Sequence, residues 1–511
     1  MTPKPVSIGN DKQLFFDDYC LEELAGVRRH LNRAKKHPAN PLIASGDSDD
    51  FRYAYGNVLY DEQQKQFRMW YHRRTFWGHT FEKKGDQLDT NCHATSKDGI
   101  HWEMSQLNIF KHDRVDVSDA VTMGKDAYIG PTVFYTPDDP DPERRYRMLV
   151  YLGQELYEGM RARSTSFMAG YGVMFSPDGL HWKEYEFNPV IQGSDMTSCF
   201  YDPVTQEYVA FPKACTTNQG SYRRCIGVST SKDFLHWGTT DIILAADEID
   251  DARAEARLER FRDIILMDDP AYYSADMYGM AGMRCEGLRL GLIWLYDRSG
   301  ECPAELGYND DGVANLQLAY SRDPNPYGIW HREASREDFL PCGEAGSYDA
   351  GFICMANTVL EVGDELWFYY TGVDRPHACE SDQPASHVCL GDDPFKGTSI
   401  NLATLRRDGF ISIDCHYTPG RLTTKLITFK GNELQINANA KSGMIAVEIL
   451  DENGQTISGY GQQDCVPFSE DSIRGRIAWK SGSRLSALAG KPIRLVFHMK
   501  MARLYAFQFV A

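Results

Sequence analysis

Acidic residues stand just ahead of apolar, strand-like segments at several points in this sequence. Asp47, Asp49 and Asp50 precede Tyr53 and Tyr55; Asp126 precedes Pro131–Tyr135; Asp195 falls in Gly193-Ser194-Asp195-Met196. Asp268, Asp269 and Asp276 precede Met277–Met283, and Glu344 and Asp349 precede Asn357–Leu360. A carboxylate at the start of an apolar strand is costly unless it is paired, hydrogen-bonded or used. Two carboxyls at one site, one protonated and one ionised, supply an acid for a leaving oxygen and a base or nucleophile. That is the equipment of glycosyl transfer.

Register narrows the set. Asn57-Val58-Leu59 aligns with Asn357-Thr358-Val359-Leu360, and Asp49 and Asp349 each lie eight residues before that Asn. Asp49, Asp195 and Asp349 are therefore expected to converge, with Asp276 or Glu344 next in line for the acid. Tyr53 and Trp77 could stack on a sugar face, and His93, Arg224 and His377 could bond hydroxyls. Each also has an ordinary reading as turn Asp, packing aromatic or surface ion pair.

The elements that must position these groups announce themselves by repetition. Ser96-Lys97-Asp98-Gly99-Ile100-His101-Trp102 returns as Ser176-Pro177-Asp178-Gly179-Leu180-His181-Trp182 and as Ser231-Lys232-Asp233-Phe234-Leu235-His236-Trp237. Looser copies run from Ser321-Arg322-Asp323 to Trp330-His331 and over Leu405–Phe410. Asp-Gly makes a tight turn, and a Trp three residues after the Gly packs it down, so a structural role is expected for these Asp and His residues. Two apolar strands precede each copy. Four antiparallel strands recurring five times predict an all-β chain, a five-bladed β-propeller over residues 1–420 that includes the N-terminal segment 1–45. Asp247–Arg262 breaks the pattern and reads as a short helix or lid. From residue 421 to 511, alternating strands joined by Gly- and Asp-rich turns predict a C-terminal β-sandwich.

The formal charge of −18 excludes the basic footprint that nucleic acid needs, opposes an anionic membrane surface, and fits a neutral carbohydrate. No apolar run approaches a membrane span, and the N-terminus lacks the apolar core of a signal peptide. Thirteen cysteines without a regular framework or a CxxC pair support neither a zinc site nor a dithiol redox motif and indicate a reducing, cytoplasmic setting. No cofactor is expected, and nothing in the sequence opposes a homo-oligomer.

The Ser-x-Asp-Gly-x-His-Trp repeats resemble the five-bladed propeller glycoside hydrolases of the invertase–inulinase and arabinanase–xylosidase type. Leu14–Tyr19 and His37–Pro41 look like an uncharacterised invertase-like branch of that group. The Trp-x-Asn-Asp-Pro motif of invertases has no match here. Arg322-Asp323-Pro324 and Glu301-Cys302-Pro303 look like two other invertase motifs, but they stand inside a turn heptad and in a loop. Catalytic residues are therefore not carried over by motif. The resemblance implies a hydrolase, exo-acting on a neutral oligosaccharide or furanoside. A transglycosylase, phosphorylase or lyase on the same scaffold, or a non-catalytic carbohydrate-binding propeller, are the alternatives.

Overall fold

The computed structural model describes residues 4–45, 50–77, 86–124, 128–153, 170–193, 195–218, 221–303, 310–379, 397–480, 482 and 484–511. The chain is all-β apart from short 3-10 turns and, among the described residues, one α-helix. Among the described residues no helix is long and apolar enough to cross a membrane.

Five antiparallel meanders follow one another. The first comprises Asp50–Asp61, Gln66–Trp77, Asp86–Ser96 and Glu103–Met104; the second Ile129–Tyr135, Tyr146–Leu152, Gly170–Ser176 and Lys183–Glu184. The third comprises Thr197–Asp202, Glu207–Asn218, Ser221–Ser231 and Asp241–Leu244; the fourth Ser274–Cys285, Leu288–Glu301, Asp310–Ser321 and His331–Arg332. The fifth has Phe352–Val362, Glu365–Val373 and Thr398–Arg406, and its outer edge is supplied by Lys35–Lys36 and Ile43–Ala44 from the N-terminal segment. The first strands of the five meanders touch one another in cyclic order, the last returning to the first. Sheets radiating from one axis in this way form a β-propeller arrangement.

The heptads join third strand to fourth, and each is built alike. Asp98 Oδ1 accepts from the Ile100 and His101 N–H groups at 2.9 and 2.8 Å, and Oδ2 lies 2.7 Å from His101 Nδ1. Trp102 Nε1 then donates to the Gly99 carbonyl. Asp178 and Asp233 repeat the pattern with His181 and His236. Gly99 and Gly179 take positive φ, and Phe234 accepts the same conformation at +71°. The turns also seal neighbouring meanders. Trp70 Nε1 donates to the Gly179 carbonyl at 2.8 Å, and Tyr369 of the fifth meander donates to the Gly99 carbonyl at 2.7 Å. The aligned asparagines act similarly: Asn57 bonds Val133 and Asn357 bonds Thr132, both on the first strand of the second meander.

The expected helix is found as Glu248–Leu258, with a capping box at Asp247. From residue 411 the strands form two larger antiparallel sheets, packed together through contacts such as Phe497 against Phe507 at 5.5 Å, with a two-stranded parallel pair and a two-stranded antiparallel pair beside them. The N-terminal segment is divided. Val6–Gly9, Gln13–Leu14, Leu21–Ala25 and Arg28–Leu31 pair with these later strands, and only residues from Lys35 onward join the fifth meander. Apolar Leu14, Phe15 and Phe16 have partners there, Phe507 and Phe410 among them, that local sequence does not reveal.

Candidate functional site

In an antiparallel meander the start of the first strand lies beside the end of the second. Tyr53 pairs with His72, Thr197 with Pro212 and Asp276 with Tyr296 at that common end. There a cavity of about 160 Å³ opens on the axis, lined by Tyr53, Tyr55, His72, Asp195, Tyr278 and His377 among others. Every meander contributes: Tyr53 from the first, Ile129 from the second, Asp195 just before the third, Tyr278 from the fourth and His377 just after the fifth meander's second strand.

Asp195 sits in the left-handed region at φ +61°, a conformation that Asp tolerates better than most residues. It pairs with Lys213, whose ammonium lies 3.6 Å from the centre of the Tyr278 ring. Burial pushes the Asp195 carboxyl up, but the Lys213 charge and hydrogen bond outweigh it, with help from Arg224. The acid lies below its ordinary range. Asp276, two residues before Tyr278, is 1% exposed. Its Oδ2 accepts from Arg224 Nη1 at 2.8 Å, while Oδ1 is buried without a partner among the described residues. Here burial wins over Arg224 and Arg298, and the acid lies above its ordinary range.

A third carboxylate completes the cluster. Asp310 lies 3.4 Å from the same Arg224 guanidinium and from Arg298, and it accepts from Tyr296 Oη at 2.9 Å. Burial raises its pKa, but Arg224 foremost, then His377 and Arg298, hold it below the usual range. His377 is buried, and burial followed by the Arg224 charge lowers its pKa to about 4. Its Nδ1 faces the Asp310 carbonyl at 3.3 Å and its Nε2 the Tyr278 hydroxyl at 3.2 Å. A neutral ring donating from Nδ1 and accepting at Nε2 satisfies both contacts.

Of the residues singled out from sequence, Tyr53, Asp195 and His377 line the cavity, while Arg224 packs on the cavity residue Tyr278 and holds buried Asp276, which does not itself line it. Asp49 lies outside the described residues. Asp349 does not reach the cavity: it is 1% exposed, 2.6 Å from Lys36 Nζ and 2.9 Å from Tyr370 Oη. The equal spacing to Asn57 and Asn357 aligned the strands but not the turn before them, where Ser347 and Asp349 fold towards the N-terminal edge strand. Glu344 is exposed, on the turn that its carbonyl closes by accepting from Ser347. Trp77 packs against His112 at 5.2 Å beside Leu88, Val117 and Ala120. His93 is a core residue between Arg68 and Ser105, its pKa lowered to about 3 by burial and then by Arg68. Lys213, Tyr278, His72 and Asp310 were not anticipated. Asp310-Asp311-Gly312 ahead of Val313 carries the same acid-before-strand signal as Asp276 and was open to the same reasoning.

Radial sheets around a carboxylate-bearing axial cavity define a propeller protein with the groups for acid–base work. Residues 63–255 match the family model described as Glycosyl hydrolases family 32 N-terminal domain, so this part of the chain is similar to that domain. No curated protein matches it in sequence. Its structure is similar to a beta-1,2-mannobiose phosphorylase from Listeria innocua, at TM-score 0.42 and 12% identity, covering 73% of this chain and 96% of that one. An endo-arabinase from Bacteroides thetaiotaomicron gives 0.38 and 11%, with 73% and 96% covered. A Bombyx mori GH32 beta-fructofuranosidase gives 0.38 and 11%, with 94% of each chain covered.

Proposed function

We propose that this protein is a glycoside hydrolase, exo-acting on a neutral oligosaccharide or furanoside. In this reading it is a five-bladed propeller within residues 1–420, followed from 421 by a β-sandwich that also takes up the N-terminal strands paired with it. The cyclic contacts of the five first strands and the Tyr369–Gly99 seal support the blade count. The family match supports glycoside chemistry.

One observation carries the mechanism: two aspartates that share Arg224 as a neighbour have environments that push their protonation in opposite directions, Asp276 up and Asp195 down. Asp276 is the acid that protonates the leaving oxygen, and Asp195 is the ionised base or nucleophile. Asp310 and Arg224 set the field around Asp276. Tyr53 and Tyr55, stacked at 4.8 Å, offer an apolar wall, and His377 and Tyr278 offer hydroxyl partners. A cavity of about 160 Å³ suits one terminal ring better than the middle of a chain. The free thiols of the described cysteines agree with a reducing, cytoplasmic setting.

Turnover of a panel of nitrophenyl glycosides and plant or algal oligosaccharides tests this. Asp276→Asn and Asp195→Asn should each lower the rate by about two to four orders of magnitude. No turnover of any glycoside by the wild type, or near-normal turnover in both variants, overturns it. A second reading rests on Lys213, Arg224 and Arg298, which give the cluster the cations that a phosphate co-substrate needs. Turnover that requires inorganic phosphate would make the protein a phosphorylase.

A further inference from the structure

We propose that His72, held in place by Asp89, is a specificity residue whose Nδ1 receives a hydroxyl of the sugar in the axial cavity. This rests on the glycoside reading and adds a residue that the acid–base pair does not involve. His72 lies on the second strand of the first meander, is 1% exposed and lines the cavity. Its ring is set against Tyr53 at 5.8 Å. Its Nε2 is 3.1 Å from Asp89 Oδ1.

Asp89 is itself buried, and its Oδ1 also accepts from Arg74 Nε at 2.7 Å. Burial pushes this carboxyl up, yet Arg74 foremost and then His72 bring it down to about 2. Asp89 is therefore an anion at any working pH and can only accept. Facing an anion that can only accept, Nε2 carries a proton, which leaves Nδ1 for the ligand. Nδ1 is buried without a hydrogen-bond partner among the described residues; Nε2 faces the Asp89 carboxylate at 3.1 Å, but off the line of a hydrogen bond. A buried polar atom without a partner is costly, and at a binding cavity the usual reason to keep one is that the ligand completes it. The cavity has the volume of about five waters in the liquid, room for one ring with its hydroxyls. A hydroxyl hydrogen-bonded to Nδ1 would anchor the ring on the first meander, in the cavity that Asp195 also lines.

Two substitutions separate this role from a purely structural one. The amide of His72→Asn reaches the position of Nδ1 and leaves Asp89 unserved; that of His72→Gln reaches the position of Nε2, serving Asp89 and leaving the hydroxyl unserved. The probe is the nitrophenyl glycoside that the wild type turns over fastest, together with its monodeoxy analogues. His72→Gln should raise KM roughly 10- to 100-fold, with little change in kcat or Tm. It should also lose the discrimination against one deoxy position that the wild type and His72→Asn display. Wild-type KM and intact deoxy discrimination in His72→Gln overturn the proposal. Should either variant fold poorly, isotope-labelled histidine NMR of the wild type decides. The Nδ1 signal of His72 should move on saturation with the free monosaccharide, and an unmoved signal overturns the proposal. Sugar binding that moves Nδ1 without turnover would sink the hydrolase reading while His72 stands; neither binding nor turnover would sink both.

Discussion

Asp276 meets Arg224 at 2.8 Å through one carboxylate oxygen and leaves the other buried and unpartnered among the described residues. An acid so placed is stabilised in its charged form on one side only, which is why burial prevails and its pKa rises. If Asp276 works as the acid, activity falls as pH rises through its raised pKa. On the other limb, activity falls as pH drops through the lowered pKa of Asp195. Arg224 lowers both pKa values, so Arg224→Gln should move both limbs of the kcat/KM profile to higher pH, by about one unit or more. An alkaline limb that stays put would remove Asp276 from the acid role.

Lys213 gives a second test. Its ammonium keeps Asp195 ionised while packing on the Tyr278 ring. Lys213→Met retains much of the packing volume and removes the charge, so the acid limb should rise and kcat should fall at low pH more than at neutral pH. The pH dependence of kcat measures it; a loss uniform across pH would mean that Lys213 binds substrate and does not tune Asp195.

The pair of half-buried Lys36 and buried Asp349 should behave as structure. It joins the N-terminal edge strand to the fifth meander, and Tyr370 adds a bond to the same carboxylate. Lys36→Met leaves that carboxylate unpaired and should cost about 3 kcal/mol of stability, read by denaturant unfolding. The kcat/KM of the folded protein should stay near that of the wild type.

The repeating heptads made the five meanders legible, because Asp98, Asp178 and Asp233 solve one local turn problem with local atoms. The strands around Asp276 and Asp195 were equally legible from apolar runs that begin with an acid. What sequence could not give was direction. Asp349 and Asp276 carry the same signal, and only the third dimension decides that one turns towards Lys36 and the other towards Arg224. His72 was hidden for a related reason: inside the strand Gln66–Trp77 it looks like a core residue, and its meaning lies in Asp89 on the neighbouring strand. The split of the N-terminal segment between two sheet systems was likewise invisible, since edge strands find partners hundreds of residues away.

The last expectation concerns stability and lies away from the cavity. Arg257, on the helix Glu248–Leu258, grips Asp297 of the fourth meander at 2.5 and 2.7 Å, and the Asp297 side chain is fully buried. Burial, with Asp338 and Asp250 adding to it against the Arg257 charge, pushes the Asp297 pKa up to about 6. In the unfolded chain an Asp titrates near 3.9, so the fold prefers the protonated form. Its contribution is complete below about pH 4, declines as pH rises towards 6 and is lost above that. The slope is at most about 1.4 kcal/mol per pH unit from this group. Asp297→Asn cannot titrate, and it carries a constant penalty for what it takes from Arg257. The measurement is therefore the difference in unfolding free energy, variant minus wild type, at pH 4, 5, 6 and 7. That difference should climb in the variant's favour between pH 4 and 6 and then level off. A flat difference, or one that falls, would mean that Arg257 keeps Asp297 charged throughout and that the helix is held by an ordinary ion pair.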